Sequence, residues 1–563
     1  MKQWAVGSER WAETLMQRRM QMTKRLWMAA GLPGLPVPTQ PRPRGRGPRG
    51  AAPDLLEKGI CMRHGFLVIF PLLFMVASAS VALAQSWTDM TEFSGYLDSD
   101  VRFLVEDDRG ATAGDGYRFD MNRNDLDLKL TIRPFDQVKA VVDSRLRFYG
   151  FNEAATLPEL VQREPIDPYS LYLDEAYMAV QGFLFERMDL RFGRMIQTWG
   201  SADQFNPTDN LNARDLSDPF NYSAKVPNQM VELSLYPTDW LTLTGVFVPI
   251  FKPAQLPPSA VMGFAVEYDA GGCFAKAPVP PLSTADVADL EELFGAVDPC
   301  NLNFVDPEVR TLTPDSTIEN SQAGFKAAFQ AGDLDLSLSY YYGRFAFPVA
   351  YTAVALVDPS TRNPGAFDVK YVAEVMYPRM HVAGADFSYS APWLFDIGFV
   401  GEIAVYFPEE VVFGMRAYQQ GSLVTEKSAL NVPSDPFIKA TAGFDYTILP
   451  WWYVNFMYVR GFFDEFNDAY GIRNYGVGAT ELKFFEDEVV LRLAAVLAMD
   501  DLSATLNPQL TWIVLPSAEI ALAGLIFLGD TEASDPLDYA AKEKFGQKAA
   551  GRSTVALRAR VTW

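Results

Sequence analysis

The chain offers few starting points for catalysis. Its 563 residues include two histidines, His64 and His381, and three cysteines. A serine or cysteine nucleophile normally gives its proton to a base within hydrogen-bond reach, most often an imidazole. His381 stands in Tyr377-Pro378-Arg379-Met380-His381 with no nucleophile motif beside it. With so few imidazoles, multi-histidine metal centres and most zinc sites drop out. Asp286, Asp289, Glu291, Glu292 and Asp298 lack calcium-loop spacing and read as a solvated acidic face. Carboxylates abound, but no pair has the distinctive setting of an acid-pair hydrolase. The sequence therefore predicts a protein that is not an enzyme and needs no cofactor. Cys273 and Cys300, 27 positions apart, are expected to form one disulfide of an exported protein.

Export is written near the start of the chain. Met62-Arg63-His64 precedes an apolar run from Phe66 to Val76, and small residues then lead to Ala82-Leu83-Ala84-Gln85. A short basic region, a short apolar core and an A-x-A site make a signal peptide over residues 62–84. Residues 1–61, Pro/Arg/Gly-rich over Gly34–Gly50, read as a disordered, non-native leader, with translation starting at Met62. Residues 1–84 hold 12 basic and 4 acidic side chains, leaving 36 basic against 66 acidic groups in the rest. A net charge of -30 disfavours nucleic acid, which needs phosphate-neutralising surface.

Beyond residue 91 the chain alternates. Gln137–Phe148 sets Val138, Ala140, Val142, Leu146 and Phe148 against Lys139, Asp143, Arg145 and Arg147; Phe437–Ile448 repeats the pattern. Tight turn signals recur at Arg133–Asp136, Gly182–Glu186, Tyr236–Asp239, Ala331–Asp333, Ala391–Trp393, Leu449–Trp451, Phe485–Glu488 and Leu515–Ser517. Between them lie long polar connections: Gly150–Ser170, Thr198–Asn228, Phe251–Ser321, Ala346–Lys370, Pro408–Pro436 and Gly529–Arg552. A soluble sandwich has no reason to alternate short and long connections; an outer-membrane barrel does. The expectation is an all-β, transmembrane, antiparallel up-and-down barrel over 92–563. Eight turns with both ends on one side give 18 strands, or 16 if the weak Gly182–Glu186 hairpin fails. Residues 85–91 are then a short periplasmic segment, too brief to form a plug. Residues 251–321 become a long extracellular loop stapled by Cys273 and Cys300 around a short helix over Ser283–Val297.

Two further signals agree. Trp240, Trp393, Trp451, Trp452 and Tyr453 cluster at short turns, as rings of a membrane-boundary girdle do. Val555, Leu557, Ala559, Val561 and Trp563 form one face of a final alternating strand. That strand resembles the terminal strand of bacterial outer-membrane proteins. The resemblance implies that Val561 and Trp563 are read by the barrel-assembly machinery.

If the apolar faces meet outer-membrane lipid and lipopolysaccharide, the polar faces line an interior. That interior carries Asp125, Asp127, Asp143, Arg145, Arg147, Glu175, Arg191, Arg558 and Arg560. Buried charges must be paired or hydrated, so the lining means water, bracing ion pairs, or both. The best constriction candidate follows the Arg191-Phe192-Gly193-Arg194 strand. It runs Trp199-Gly200 through Asp203, Asn206-Pro207-Thr208-Asp209 and Arg214-Asp215, where Asx and Pro-Thr steps favour compact turns. Over Arg191–Asp215 the chain resembles uncharacterised Gram-negative, porin-like outer-membrane barrel families, some known only as domains of unknown function. The resemblance implies a barrel but no substrate. A brace against the wall and a pore-narrowing loop are equally consistent with the segment.

The functional expectation is an outer-membrane channel, monomeric or trimeric, that passes small solutes through a charged, loop-constricted lumen. The acidic surface favours cations, and the basic lumen residues could reverse that preference. The alternatives are a selective transporter of an amphipathic or lipid-like molecule, and a structural or adhesive barrel with a closed lumen.

Overall fold

The computed structural model describes residues 90–105, 118–221, 223–256, 267–268, 274–276, 302–305, 308–361, 365–466, 472–529 and 553–563. The expected leader, signal peptide, disulfide and short helix all lie outside the described residues.

Eighteen strands form one closed antiparallel meander. In chain order they are β1 (Thr91–Leu104), β2 (Arg118–Phe135), β3 (Val138–Tyr149), β4 (Tyr169–Val180), β5 (Met188–Met195), β6 (Asn228–Thr238), β7 (Leu241–Val248), β8 (Gln322–Ala331) and β9 (Leu334–Arg344). The ring continues with β10 (Arg379–Ala391), β11 (Ile397–Pro408), β12 (Phe437–Leu449), β13 (Trp452–Arg460), β14 (Asn474–Phe484), β15 (Val489–Ala498), β16 (Ala504–Leu515), β17 (Ala518–Leu528) and β18 (Thr554–Thr562). Each strand pairs with its neighbours in sequence, and β18 closes on β1, where Leu97 faces Val561 and Asp100 faces Arg558. Closure removes every free edge, which the backbone polar groups of a barrel in lipid require.

All eight tight turns join strands at one end, and the 16-strand alternative is excluded because β4 and β5 pair normally. Three of the long connections hold strands of their own. Val349–Pro359 and Phe367–Met376 pair as a hairpin, as do Val411–Gln419 and Ser422–Val432. With Leu302–Phe304 and Glu308–Leu312 they build a separate six-stranded sheet at the long-loop end. The alternation of long and short has one exception: β15 and β16 are joined at the long-loop end by Met499–Ser503 alone.

Period-two alternation sorts the side chains. Phe93, Leu97, Leu171, Phe192, Leu338, Leu510, Trp512, Leu557 and Val561 all point outward and are exposed. An apolar belt of this extent is foreign to a monomer in water and natural in hydrocarbon. Trp240, Trp393, Phe395, Trp451 and Phe485 stand exposed at the short-turn rim. Tyr453 does not join that girdle, because its strand position places it on the inner face with Asn455 and the buried Met457. His381 also faces outward, between the buried inner-face residues Met380 and Val382, and its Nδ1 lies 2.6 Å from the Tyr340 hydroxyl.

Candidate functional site

The lumen has two unlike sides. On the β18–β1–β4 side, inner-face residues form a continuous ion-pair ladder. Arg560 meets Asp98 at 2.6 Å, and Arg558 meets Asp100 at 3.2 Å. Arg102 grips Asp100 and Arg147 grips Asp125 at 2.7 Å. Arg145 pairs with Asp174 at 2.6 Å, and Lys129 reaches Asp143 and Glu175. Antiparallel pairing makes this possible: successive inner-face positions on adjacent strands stand side by side, so opposite charges meet across the ladder.

On the β5–β15 side the inner face is apolar toward the long-loop end. Met195, Met230, Val246, Val248, Met380 and Val382 pack as one buried cluster, and Met457, Val459, Tyr475 and Val477 as another. Inner faces this greasy need a partner. Residues 196–227, the connection from β5 to β6, supply it by folding inward.

This inner loop is fixed at both ends of its span. Trp199, 2% exposed, sits in the first cluster against Gly324 of β8, where a Cβ would come within 2.6 Å of the indole. Gly200 follows with φ +96°, and a Cβ there would lie 2.4 Å from a Glu402 oxygen, so no other residue fits. Glu402, buried on β11, then receives three donors: the Ala202 N–H at 2.6 Å, Asn206 Nδ2 at 3.0 Å and the Thr208 hydroxyl at 2.9 Å. Tyr406, two positions along the same face, donates its hydroxyl to the Pro207 carbonyl at 2.7 Å. Thr441 donates to the Phe205 carbonyl, and Asn455 reaches Asp203 at 3.3 Å. The Asn-Pro-Thr-Asp segment is thus a plug shaped to one buried carboxylate. The turn itself closes by the Asp209 N–H donating to the Asn206 carbonyl at 3.1 Å.

The other end of the span meets the charged side. Asp218 takes Arg102 in a two-point grip at 2.7 and 2.8 Å and Arg123 at 2.9 Å. Arg102 is 1% exposed and lies over the Phe220 ring. Burial pushes the Asp218 carboxyl up, but hydrogen bonds and charge from Arg102, then Arg123, outweigh it and hold it well below the usual carboxylate range. Inside the loop, Asp209 pairs with Lys225 and, at 3.4 Å, with Arg214. Burial pushes the Lys225 ammonium down and Asp209 only partly offsets it. Asp215 turns back on the Ser217 N–H at 3.0 Å.

The strands carrying these anchors, β1–β2 and β10–β12, lie about half a turn apart in the ring of 18. The inner loop therefore crosses the lumen from wall to opposite wall. Of the residues singled out in the sequence, Trp199, Asp203, Asn206, Asp209 and Arg214 come together in this span. Arg145, Arg147, Glu175, Arg558 and Arg560 stand on the charged wall, and Arg191 pairs with Glu232 at 3.3 Å between them. Arg194 is a correction. It shares the outward face of β5 with the exposed Phe192, and its Nε donates to the Leu173 carbonyl. Two residues three apart on a strand cannot both face inward, so Arg191 and Arg194 part company.

The sequence reading missed Asp98, Asp100, Arg102, Arg123 and Asp218. Asp98, Asp100 and Arg102 alternate on one strand, and that spacing alone could have marked them as inner-face residues.

No family model matches the chain, and no curated protein matches it in sequence. Among solved structures it is similar to OccAB3 of Acinetobacter baumannii, at 10% identity and a TM-score of 0.42, covering 84% of this chain and 99% of that one. It is also similar to OmpT, an outer membrane protein of Vibrio cholerae, at 11% identity, a TM-score of 0.33, and 84% and 97% coverage. A third is OmpF of Salmonella typhi in complex with daunomycin, at 7% identity, a TM-score of 0.34, and 84% and 97% coverage.

Proposed function

We propose that the protein is an outer-membrane channel through which small hydrophilic solutes diffuse, with the inner loop setting the bore. The observation that carries this reading is the off-centre placement of the loop's packing. It fills the β5–β15 side with apolar contacts and meets the charged side near its two ends, through the Ile196 N–H on Glu175 and through Asp218 and Phe220 on Arg102. Along β14, β15 and β18 the inner face keeps Glu481, Lys483, Arg558 and Arg560 with 30–38% of each side chain exposed. Arg492 between them is exposed, with no ion-pair partner among the described residues. These solvated charges, on β18 and toward the short-turn end of β14 and β15, support a water-filled path past the packed loop, filtered by loop-set diameter and by these five charges. The short turns then face the periplasm and the six-stranded sheet the exterior, the usual orientation of such barrels.

A closed, structural barrel is the second reading, and the extent of the apolar packing around Trp199 favours it. Planar-bilayer recording of the purified protein separates the two. Discrete open steps are expected; electrical silence across preparations that show heat-modifiable gel mobility would sink the channel.

A further inference from the structure

The ion-pair ladder has one place where the charges do not balance. The pairing of β3 with β4 slips by a residue between Asp143 and Ser144, so Asp143 faces Glu175 and Ser144 faces Leu173. The bulge leaves Asp174 as the extra residue and aims both Asp174 and Glu175 inward. Asp174 is matched by Arg145 at 2.6 Å, and Lys129 is shared between Asp143 at 3.1 Å and Glu175 at 3.5 Å. Asp127 on β2 is left over. It is 9% exposed and forms no hydrogen bond or ion pair among the described residues. One oxygen each of Asp127, Asp143 and Asp174 lies within 4.8 Å of the other two. The second Asp143 oxygen, Oδ1, is also buried without a donor.

Four carboxylates thus face two cationic side chains, and Asp127 forms no close ion pair with either. A buried carboxylate left in this state calls for a missing donor or ion. Lysine and arginine are already spent on its neighbours. The remaining candidate is a hard cation, for which carboxylate oxygens are the preferred ligands.

We propose that Asp127, Asp143 and Asp174 bind a divalent cation on the lumen wall, calcium in preference to magnesium. Calcium accepts six to eight oxygen ligands in an irregular arrangement, which carboxylates fixed on neighbouring strands can supply. Magnesium demands a near-ideal octahedron at about 2.0–2.1 Å and gives up its waters reluctantly. Waters from the lumen complete the shell, since the slight exposure of Asp127 opens the group on that side. The site does not depend on conduction. A barrel that binds calcium and passes no current would fail only the reading given above.

The test uses the full, folded chain in detergent after chelator treatment. Terbium is titrated with excitation of tyrosine, Tyr96 facing Asp127 across β1 and β2. One saturable signal is expected, displaced by calcium and at least tenfold less readily by magnesium. Asp127→Asn and Asp143→Asn should each weaken it at least tenfold. Asp335→Asn, on the inner face of β9 away from this group, should leave it unchanged. Heat-modifiable mobility on a gel confirms that each variant is folded. No saturable signal in the parent, or equal affinity in the parent and Asp127→Asn, overturns the proposal.

Discussion

The two anchors of the inner loop solve the same problem with opposite chemistry. At β11 the loop meets an apolar surface and one carboxylate, Glu402, whose partners are neutral donors. At β1 and β2 it meets two guanidinium groups through Asp218. A packed contact depends on shape and buried area, and salt and acid leave it largely alone. A buried ion pair depends on charge state and is costly to leave half-made. One end of the loop is therefore held mainly by shape, with Glu402 as its ionisable contact, and the other mainly by charge.

The largest effect should come from the packed end. Trp199→Ala removes a fully buried side chain and is expected to cost about 3–5 kcal/mol, read as a shift in denaturant unfolding of the detergent-held barrel. A loss below ~1 kcal/mol would mean the cluster is not holding the loop.

Next is Asp218→Ala, which strands the buried Arg102 with only Asp100. About 3 kcal/mol is expected from breaking a buried pair on one side, accompanied by noisier currents as that end comes loose. The same contact carries a pH signature. The folded Asp218 carboxyl titrates below its unfolded value, so its contribution is complete above the unfolded pKa near ~3.9 and is lost as pH falls below that. Acidification should loosen the β1–β2 end while Trp199 fluorescence stays that of a buried indole. If both ends respond together, the contrast between them is wrong.

Glu402→Gln should cost about 1–3 kcal/mol, because one of its oxygens becomes an amide that faces donors. Arg492→Glu should change stability by no more than about 0.5 kcal/mol and yet move the reversal potential toward cation preference in a salt gradient. Unaltered selectivity would place the solute path elsewhere.

Much of this fold was legible because it is local. A strand's two faces repeat every second residue and a tight turn needs particular residues, so the eight turns and the strand count follow from short windows. The outward Arg194 was legible too, by parity with Arg191, and was misjudged by treating the motif as one unit. What stayed hidden is the long-range pairing. Asp218 finds Arg102 across 116 residues, and Glu402 finds Ala202 across 200. The strands inside the long connections were obscured for the same reason: Thr352 pairs with Gly414 from a different loop, and polar composition gives no hint of that partner.

The seam between β1 and β18 has a kinetic corollary. There Gly95 and Trp563 exchange backbone hydrogen bonds, at 3.2 and 3.1 Å, and Arg558 and Arg560 clasp aspartates 458 and 462 positions earlier in the chain. Contacts that distant cannot form until the last hairpin is present, so closing this seam comes late in folding. Until it closes, the first and last hairpins carry bare edges, open to pairing with another chain.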